Sequence, residues 1–400
     1  MKICGVVAEY NPFHNGHARH LAETRRRLGE QTAVVCAMSG NYVQRGDLAI
    51  VEKYRRAQAA AQCGADLVLE LPLPACLCSA SGFAQGAVSL LDALGCVTHL
   101  SFGAEHADLS CLQRAAELSQ CEENEIFQQG LSAGLSYAAA MQQAVIAADP
   151  EAGALLSSPN NTLAVEYLSA LQTLHSIIEP IAIKRIGGAH DSTDTPDHLP
   201  SASYLRSLLA QGNPISCRPL MPEASFEVLK QAMEEGAAPV LRGAIDCALL
   251  AHLRRFTPEM LRRYLGGEDG LEYRLADAIR GNVTFDAICA AAQTRRYPLA
   301  RVRRVLLRAW LDLPHHIPPE PAYVRVLAIG ARGREILRRM KTTCSLPVIV
   351  KPTTARRLPD TLQPALARDA LADDLYALAC PAPTFHVGGG HFRKTPYTLP

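Results

Sequence analysis

Five short apolar runs, each followed or preceded by a helical pattern, order the first two hundred residues of this 400-residue chain. Ile3–Ala8, Thr32–Met38, Asp66–Leu71, Val97–Gly103 and Pro180–Ile186 are close to continuously apolar. A strand that alternates apolar and polar residues can leave one face in water. A strand apolar throughout has to be covered on both faces, and crossover helices provide that cover in parallel sheets. The intervening segments Ala18–Leu28, Lys53–Cys63, Phe83–Leu94 and Leu163–Leu174 carry helical spacing. The predicted fold class is α/β, with a Rossmann-like parallel sheet.

The rhythm breaks twice. Residues 107–156 hold helix formers without a strand signal and read as a helical insertion between the fourth and fifth strands. After Pro214 the pattern becomes mostly helical: Phe226–Glu235, Val240–Leu249, Pro258–Tyr264, Tyr273–Arg280 and Phe285–Ala292. Tyr323–Ile329, Gly333–Met340 and Leu346–Val350 then read as strand, helix, strand, and the Pro- and Gly-rich tail from 381 as a flexible end. Two domains are expected, 1–214 and 215–400, joined near Gly212–Pro222.

Composition narrows the setting. A formal net charge of +1 excludes a wholesale polycation, so any nucleic-acid surface must be a local patch. No apolar run approaches the ~20 residues of a membrane span, and Met1–Val7 enters a strand directly, without a signal-peptide pattern. The thirteen cysteines are scattered, with no CxxC pair, as expected for buried thiols in the cytoplasm.

The densest chemistry lies between the first strand and first helix, in Ala8-Glu9-Tyr10-Asn11-Pro12-Phe13-His14-Asn15-Gly16-His17. Open α/β sheets bind ligands at the carboxyl ends of their strands. There Gly16 admits a close backbone approach, and the helix beginning near His17 offers N–H groups and a positive dipole end to a phosphate. His14 and His17 would flank that phosphate as two donors, gaining charge near neutral pH as negative charge builds. A metal site at His14, His17 and His20 lacks a carboxylate at ligand spacing.

This HNGH segment resembles the HxGH motif of the nucleotidyltransferases and aminoacyl-tRNA synthetases that carry a HIGH signature. Their Ser/Thr-rich partner motif has a counterpart in Ser201-Ala202-Ser203-Tyr204-Leu205-Arg206, a hydroxyl-bearing helix cap with an arginine that can grip the outer phosphates. No KMSKS-like loop is present. The longer set, Glu9–His17, Met38–Gly46, Asp66–Pro72, Phe102–Glu105 and Ser158–Asn161, is similar to the bacterial tRNA(Met) cytidine acetate ligases. That resemblance implies a nucleotidyltransferase domain that activates acetate with ATP as acetyl adenylate. The resemblance further implies transfer of the acetyl group to the wobble cytidine of elongator tRNA(Met), giving N4-acetylcytidine. It also implies ATP contacts from Val7, Ala8, Glu9, Tyr10, Asn11, Pro12, Phe13, His14, Asn15, Gly16, His17, Ala18, Arg19 and His20, with Gly103, one of Asn160 and Asn161, and Arg185. Mg²⁺ is expected with the triphosphate, with no sequence feature fixing its ligands. The Ser39–Gly46 loop is open to two readings, a lining of the acetate or cytidine pocket or a plain surface loop.

Six arginines fall between Asp286 and Asp312 with no acidic residue among them. Helical spacing groups Arg301, Arg304 and Arg308 on one face, with Arg295 and Arg296 just before, and Tyr297 placed to stack on a base. These five arginines are the expected RNA contacts; the alternative is a solvated helix. Two other functions compete: a small-molecule adenylyl- or cytidylyltransferase, which leaves the arginine patch without a task, and a non-catalytic RNA-binding protein, against which the intact His14, Gly16 and His17 speak.

Overall fold

The computed structural model describes residues 1–120, 124–185, 201–267, 270–355 and 357–400. Among the described residues ten strands occur in chain order: β1 Ile3–Ala8, β2 Ala33–Ser39, β3 Tyr42–Val43, β4 Asp47–Leu48, β5 Leu67–Leu71, β6 His99–Ala104, β7 Glu179–Lys184, β8 Val324–Ile329, β9 Val348–Ile349 and β10 Tyr397–Thr398. The main sheet runs β10-β8-β5-β2-β1-β6-β7, with β9 on β8, while β3 and β4 form a separate antiparallel hairpin. From β5 to β7 all neighbours are parallel, in registers such as Ile3↔Ala33 and Cys4↔His99.

The continuous apolar runs are covered on both sides, as their composition demands. Ala33, Val35 and Ala37 face a core with Phe83, Leu90 and Leu91 from the helix Ala80–Ala93. Val34, Cys36 and Met38 face the other way, against Leu21 of the helix Asn15–Leu28 and Ala57 and Ala60 of the helix Lys53–Gln62. Between β6 and β7 lie the helices Leu109–Leu118, Glu125–Ser132, Tyr137–Ala148, Pro150–Leu155 and Pro159–Thr173. The fifth expected strand was drawn to Ile186, which lies outside the described residues.

The region after 214 is not confined to a separate helical body. It does hold a helical core of its own, in which Leu249, Leu275, Ile288 and Leu306 meet Tyr42 and Leu48 of the β3–β4 hairpin. Yet β8 returns to pair antiparallel with β5, Leu67↔Ile329, and β10 adds beside β8. The sheet therefore crosses the boundary expected near Gly212–Pro222. The tail from 381 is likewise tied down: His391 is 1% exposed, and the Ala382 and Leu399 amides donate to Gly236 and Ile329 carbonyls at 2.9 and 2.8 Å. Its glycines serve short 3₁₀ turns, not a loose end. Among the described residues no helix is long and apolar enough to cross a membrane.

Candidate active site

β1 sits between β2 and β6, where the chain reverses its direction of travel across the sheet, and ligand crevices in α/β folds form at that switch. The loop leaving β1 starts the helix at Asn15, three residues earlier than its periodicity suggested, because His14 is the cap. His14 Nδ1 accepts the Gly16 amide at 3.1 Å, and His17 Nδ1 accepts the His14 amide at 3.2 Å. This is the reciprocal capping box usually made by Ser and Glu, built here from two imidazoles. A backbone N–H needs a lone pair to donate to, so each Nδ1 is unprotonated and each neutral ring carries its proton on Nε2. The rings stack with centroids 3.8 Å apart. Gly16 is required by this cap: a Cβ there would stand 2.9 Å from His14 Cε1.

Aromatic packing fixes the pair from beneath. Tyr10 and Phe13 are buried, with centroids 4.9 and 5.4 Å from the His17 ring. Tyr10 holds a left-handed backbone, φ 46°, which costs a non-glycine residue about 1–3 kcal/mol and persists only where packing enforces it. Burial, reinforced by the Arg185 and Arg206 guanidiniums, pulls His14 down to about 3. Burial followed by His14, Arg185 and His20 holds His17 well below the ordinary imidazole range, and burial with Arg185 takes His20 to about 4. Before a ligand arrives His14 and His17 are therefore neutral Nε2–H donors, and the charge expected of them belongs to the stage at which negative charge builds beside them.

Stability should record this. Unfolded histidine takes a proton near 6.5 while folded His14 refuses it until about 3, so stability is whole above 6.5 and drains as pH falls through that window. The slope for His14 alone reaches about 1.4 kcal/mol per pH unit. Thermal melts between about pH 7.5 and 5.5 should show the loss, smaller in His14→Asn than in the wild type. Equal pH dependence in both would refute the assignment.

A cleft of about 650 Å³ opens above this loop. Of the expected ATP contacts, Val7, Ala8, Glu9, Tyr10, Asn11, His14, Gly16, His17, Arg19, His20, Gly103, Asn160, Arg185, Ser201 and Arg206 line it. Pro12, Phe13, Asn15, Ala18, Asn161 and Ser203 are not in its wall. Asn15 donates instead to the Pro219 carbonyl at 3.1 Å, and Ser203 accepts from Arg206 at 3.1 Å. The asparagine pair separates: Asn160 borders the cleft, while buried Asn161 accepts the His106 amide at 3.2 Å. Ser201 caps its helix by accepting the Tyr204 amide, and Arg206 donates to the Asn11 carbonyl at 2.9 Å, stitching the second motif to the first.

The arginine patch divides. Arg295 and Arg296 are exposed. Arg308 is not: it is 3% exposed, and its guanidinium serves the Leu77, Leu313 and Pro314 carbonyls at 3.3, 3.2 and 2.6 Å. Its place as an RNA contact is corrected, because its guanidinium is buried among carbonyls of the protein, out of reach of a phosphate. Tyr297 is buried too, under the Arg296 and Arg301 guanidiniums at 5.9 and 5.5 Å, so it is no stacking platform. Arg304 points inward to the Gln44 carbonyl, 3.2 Å away, and burial lowers it to about 10. Periodicity identified the shared face but not that the face meets other protein.

Two supports had no sequence signal. Arg56, 2% exposed, donates to the Glu9, Ser39, Gly40 and Val51 carbonyls and so clamps the ends of β1 and β2 together. Lys53, 1% exposed, bridges Glu70 and Asp373 at 2.7 Å each.

A family model described as HIGH Nucleotidyl Transferase matches residues 1–388, which sets the class as a nucleotidyltransferase of the HIGH signature. The tRNA(Met) cytidine acetate ligase of Acetivibrio thermocellus is 35% identical over 413 residues, spanning 98% of this chain and 99% of that protein. That of Halothermothrix orenii is 33% identical over 416 residues, with 98% of each covered. The crystal structure of apo Thermotoga maritima TmcAL superposes over all of both chains with a TM-score of 0.93 at 31% identity. The same protein bound with alpha-thio ATP gives 0.92 at 30%. The chain belongs to the tRNA(Met) cytidine acetate ligase family.

Proposed function

We propose that this enzyme uses ATP and acetate to acetylate the wobble cytidine of elongator tRNA(Met), giving N4-acetylcytidine. The observation that carries the reading is the stacked pair of neutral Nε2–H imidazoles at a helix N-terminus, flanked by Arg185 and Arg206. Such an arrangement is made for a polyanion whose charge grows during reaction. An acetate oxygen would attack the α-phosphorus, forming the new O–P bond as the bond to pyrophosphate breaks. The cytidine N4 would then attack the acetyl carbon, forming C–N, breaking C–O to AMP and shedding one N4 proton. Holding the mixed anhydride away from water and presenting N4 to it would supply most of the rate. Asn160 is the asparagine we assign to ATP, since it borders the cleft while Asn161 is buried away from its wall.

The described residues hold no cluster of three or more His, Cys, Asp or Glu able to take a metal. Mg²⁺ would enter as the companion of the triphosphate, with no protein ligand assigned. The reaction is placed in the cytoplasm with its tRNA. Incubation with ATP, labelled acetate and tRNA(Met) tests the reading: acetylated RNA with equimolar AMP supports it, and a nucleotidylated small molecule or no product sinks it.

For RNA, Arg295, Arg296 and Arg301 remain as phosphate contacts. Changing all three to Ala should weaken tRNA binding and flatten its salt dependence by roughly one log–log unit per lost contact, leaving acetate-dependent pyrophosphate exchange intact. Arg308→Ala should lower the melting temperature instead, since three carbonyls lose their donors. An unchanged salt slope in the folded triple variant would return this patch to an ordinary solvated surface.

A further inference from the structure

We propose that Glu9 is the base of the acetyl-transfer step: its carboxylate receives the N4 amino group of the wobble cytidine and takes one of its protons. The inference rests on the ligase reading above and adds to it the group that accepts the proton which N4 sheds. As the N4 lone pair forms the C–N bond, the C–O bond to AMP breaks and its electron pair leaves with the phosphate. One N–H proton passes from N4 to a Glu9 oxygen, and the neutral carboxyl later returns it to water. A carboxylate suits this partner, because the cytosine amino group is a donor that Glu and Asp recognise.

The wall of the cleft offers few groups that can take a proton. Its lysine and arginines already carry theirs and accept nothing. That leaves, among the described residues, two carboxylates, three imidazoles and two phenols. His14 and His17 accept backbone amides through Nδ1 and hold a proton on Nε2, so neither has a lone pair to spare. His20 Nε2 is engaged with Ser101 Oγ at 2.9 Å, and a proton added to that ring would build a cation against Arg185. Burial pushes the Tyr10 and Tyr167 phenols up, so both keep their own protons. Hydrogen bonds from Arg26 and Arg27, at 2.7 and 3.1 Å, hold Glu23 down to about 2. Glu105 and Glu166 stand outside the wall, and Glu105 takes the Ser158 hydroxyl and the Asn161 amide at 3.0 and 3.1 Å. Glu9 differs from all of these. Its Oε1 accepts the Gln44 amide at 3.0 Å, and its Oε2 takes no hydrogen bond among the described residues.

Position agrees with chemistry. Glu9 follows β1 directly and lines the same cleft as the two imidazoles. Arg56 holds its carbonyl, while the Gln44 amide holds its side chain toward the β3–β4 hairpin. That hairpin follows β2, across β1 from Gly103 and Arg185 at the ends of β6 and β7. An adenosine held over β6 and β7 leaves the hairpin side to the incoming base. The RNA contacts proposed above lie on that side. Gly46 of the hairpin turns at φ +74° against the helix Leu299–Trp310, where a Cβ would stand 2.5 Å from Arg303 Cβ. Arg304 of the same helix donates to the Gln44 carbonyl at 3.2 Å, and Arg301 stands one turn before it.

The test separates the two half-reactions in the whole enzyme: acetate-dependent ATP–pyrophosphate exchange, and transfer of labelled acetyl to tRNA(Met). Glu9→Gln keeps an oxygen for the Gln44 amide but cannot take up a proton. It should lower the kcat of transfer by about 10²–10⁴-fold, the usual share of a general base, and exchange by less than about tenfold. Labelled acetyl adenylate should accumulate on the variant. Glu9→Asp, which retains the carboxylate, should transfer faster than Glu9→Gln; an aspartate variant no faster overturns the proposal. Transfer unchanged in Glu9→Gln, with the wild type active in both assays, overturns it too and passes the proton to the departing AMP phosphate. Exchange lost in step with transfer also overturns it, since Glu9 would then serve adenylation or the shape of the loop. A wild type that makes no acetylated RNA overturns the ligase reading and the base with it.

Discussion

His17→Ala and His14→Ala are each expected to lower acetate-dependent pyrophosphate exchange by about 10²–10³-fold, the typical cost of removing one preorganised donor from a developing oxyanion. The KM for ATP should move far less, because the donors matter most where charge accumulates. His14→Ala also strips the Gly16 amide of its acceptor, so a plain loss of activity has two readings. His14→Asn separates them. Asparagine is among the best helix caps, so the helix Asn15–Leu28 should keep its start, while no side-chain donor reaches as far as His14 Nε2 does. A variant that melts like the wild type and still loses the rate assigns the loss to the phosphate. The double His14/His17 variant should lose less than the product of the single losses, since the rings brace each other. Near-full exchange in any single variant would falsify the phosphate role of that histidine.

The legible parts of this chain were those whose physics is local. Continuous apolar runs demanded cover on both faces, and Ala33–Ser39 is buried at every position. The HNGH segment announced its chemistry because two imidazoles around a glycine at a strand end have few structural uses. Even so, the mechanical reason for Gly16 and the proton placement on Nε2 required the cap geometry, which spacing alone does not show. What stayed hidden were partners far away in the chain. The β5–β8 pairing joins residues more than 250 positions apart and runs antiparallel, so the strand, helix, strand pattern after 323 is assigned by sequence to the second domain. Arg308 spaces like a solvated helix residue, and only the chain packed against it shows that its face is an interface. The glycine-rich tail suggested freedom where His391 is in fact fixed between Asp373 and Arg325.

Lys53→Met is expected to cost about 3–5 kcal/mol of apparent stability near pH 8, the largest single-site loss anticipated outside the apolar core. Lys53 is the buried first residue of its helix, and its amide also donates to Asn41 Oδ1 at 2.9 Å. Asp373 further accepts from Asn41 at 2.9 Å and from His391 Nδ1 at 2.7 Å, while Arg325 donates to His391 Nε2 at 2.7 Å. The network thus ties the tail and the helix Gln363–Ala377 to the base of the β3–β4 hairpin. Burial pushes Glu70 up against the pull of Lys53, whereas for Asp373 the pull of Lys53 and His391 overcomes burial and holds it well below the carboxylate range. Methionine would fill the volume but take the ammonium from both buried carboxylates, leaving Asp373 only Asn41 and His391, so each carboxylate would favour binding a proton in the folded state. Their folded proton affinities would then exceed the unfolded ones, which makes the deficit greatest at high pH and progressively smaller as pH falls toward about 5. Urea melts of wild type and variant at both ends of that range give the comparison, and adding Asp373→Asn should recover part of the loss by removing one stranded charge. A deficit under about 1 kcal/mol at pH 8, or one that grows on acidification, would show that the bridge is not what joins the tail to the catalytic half.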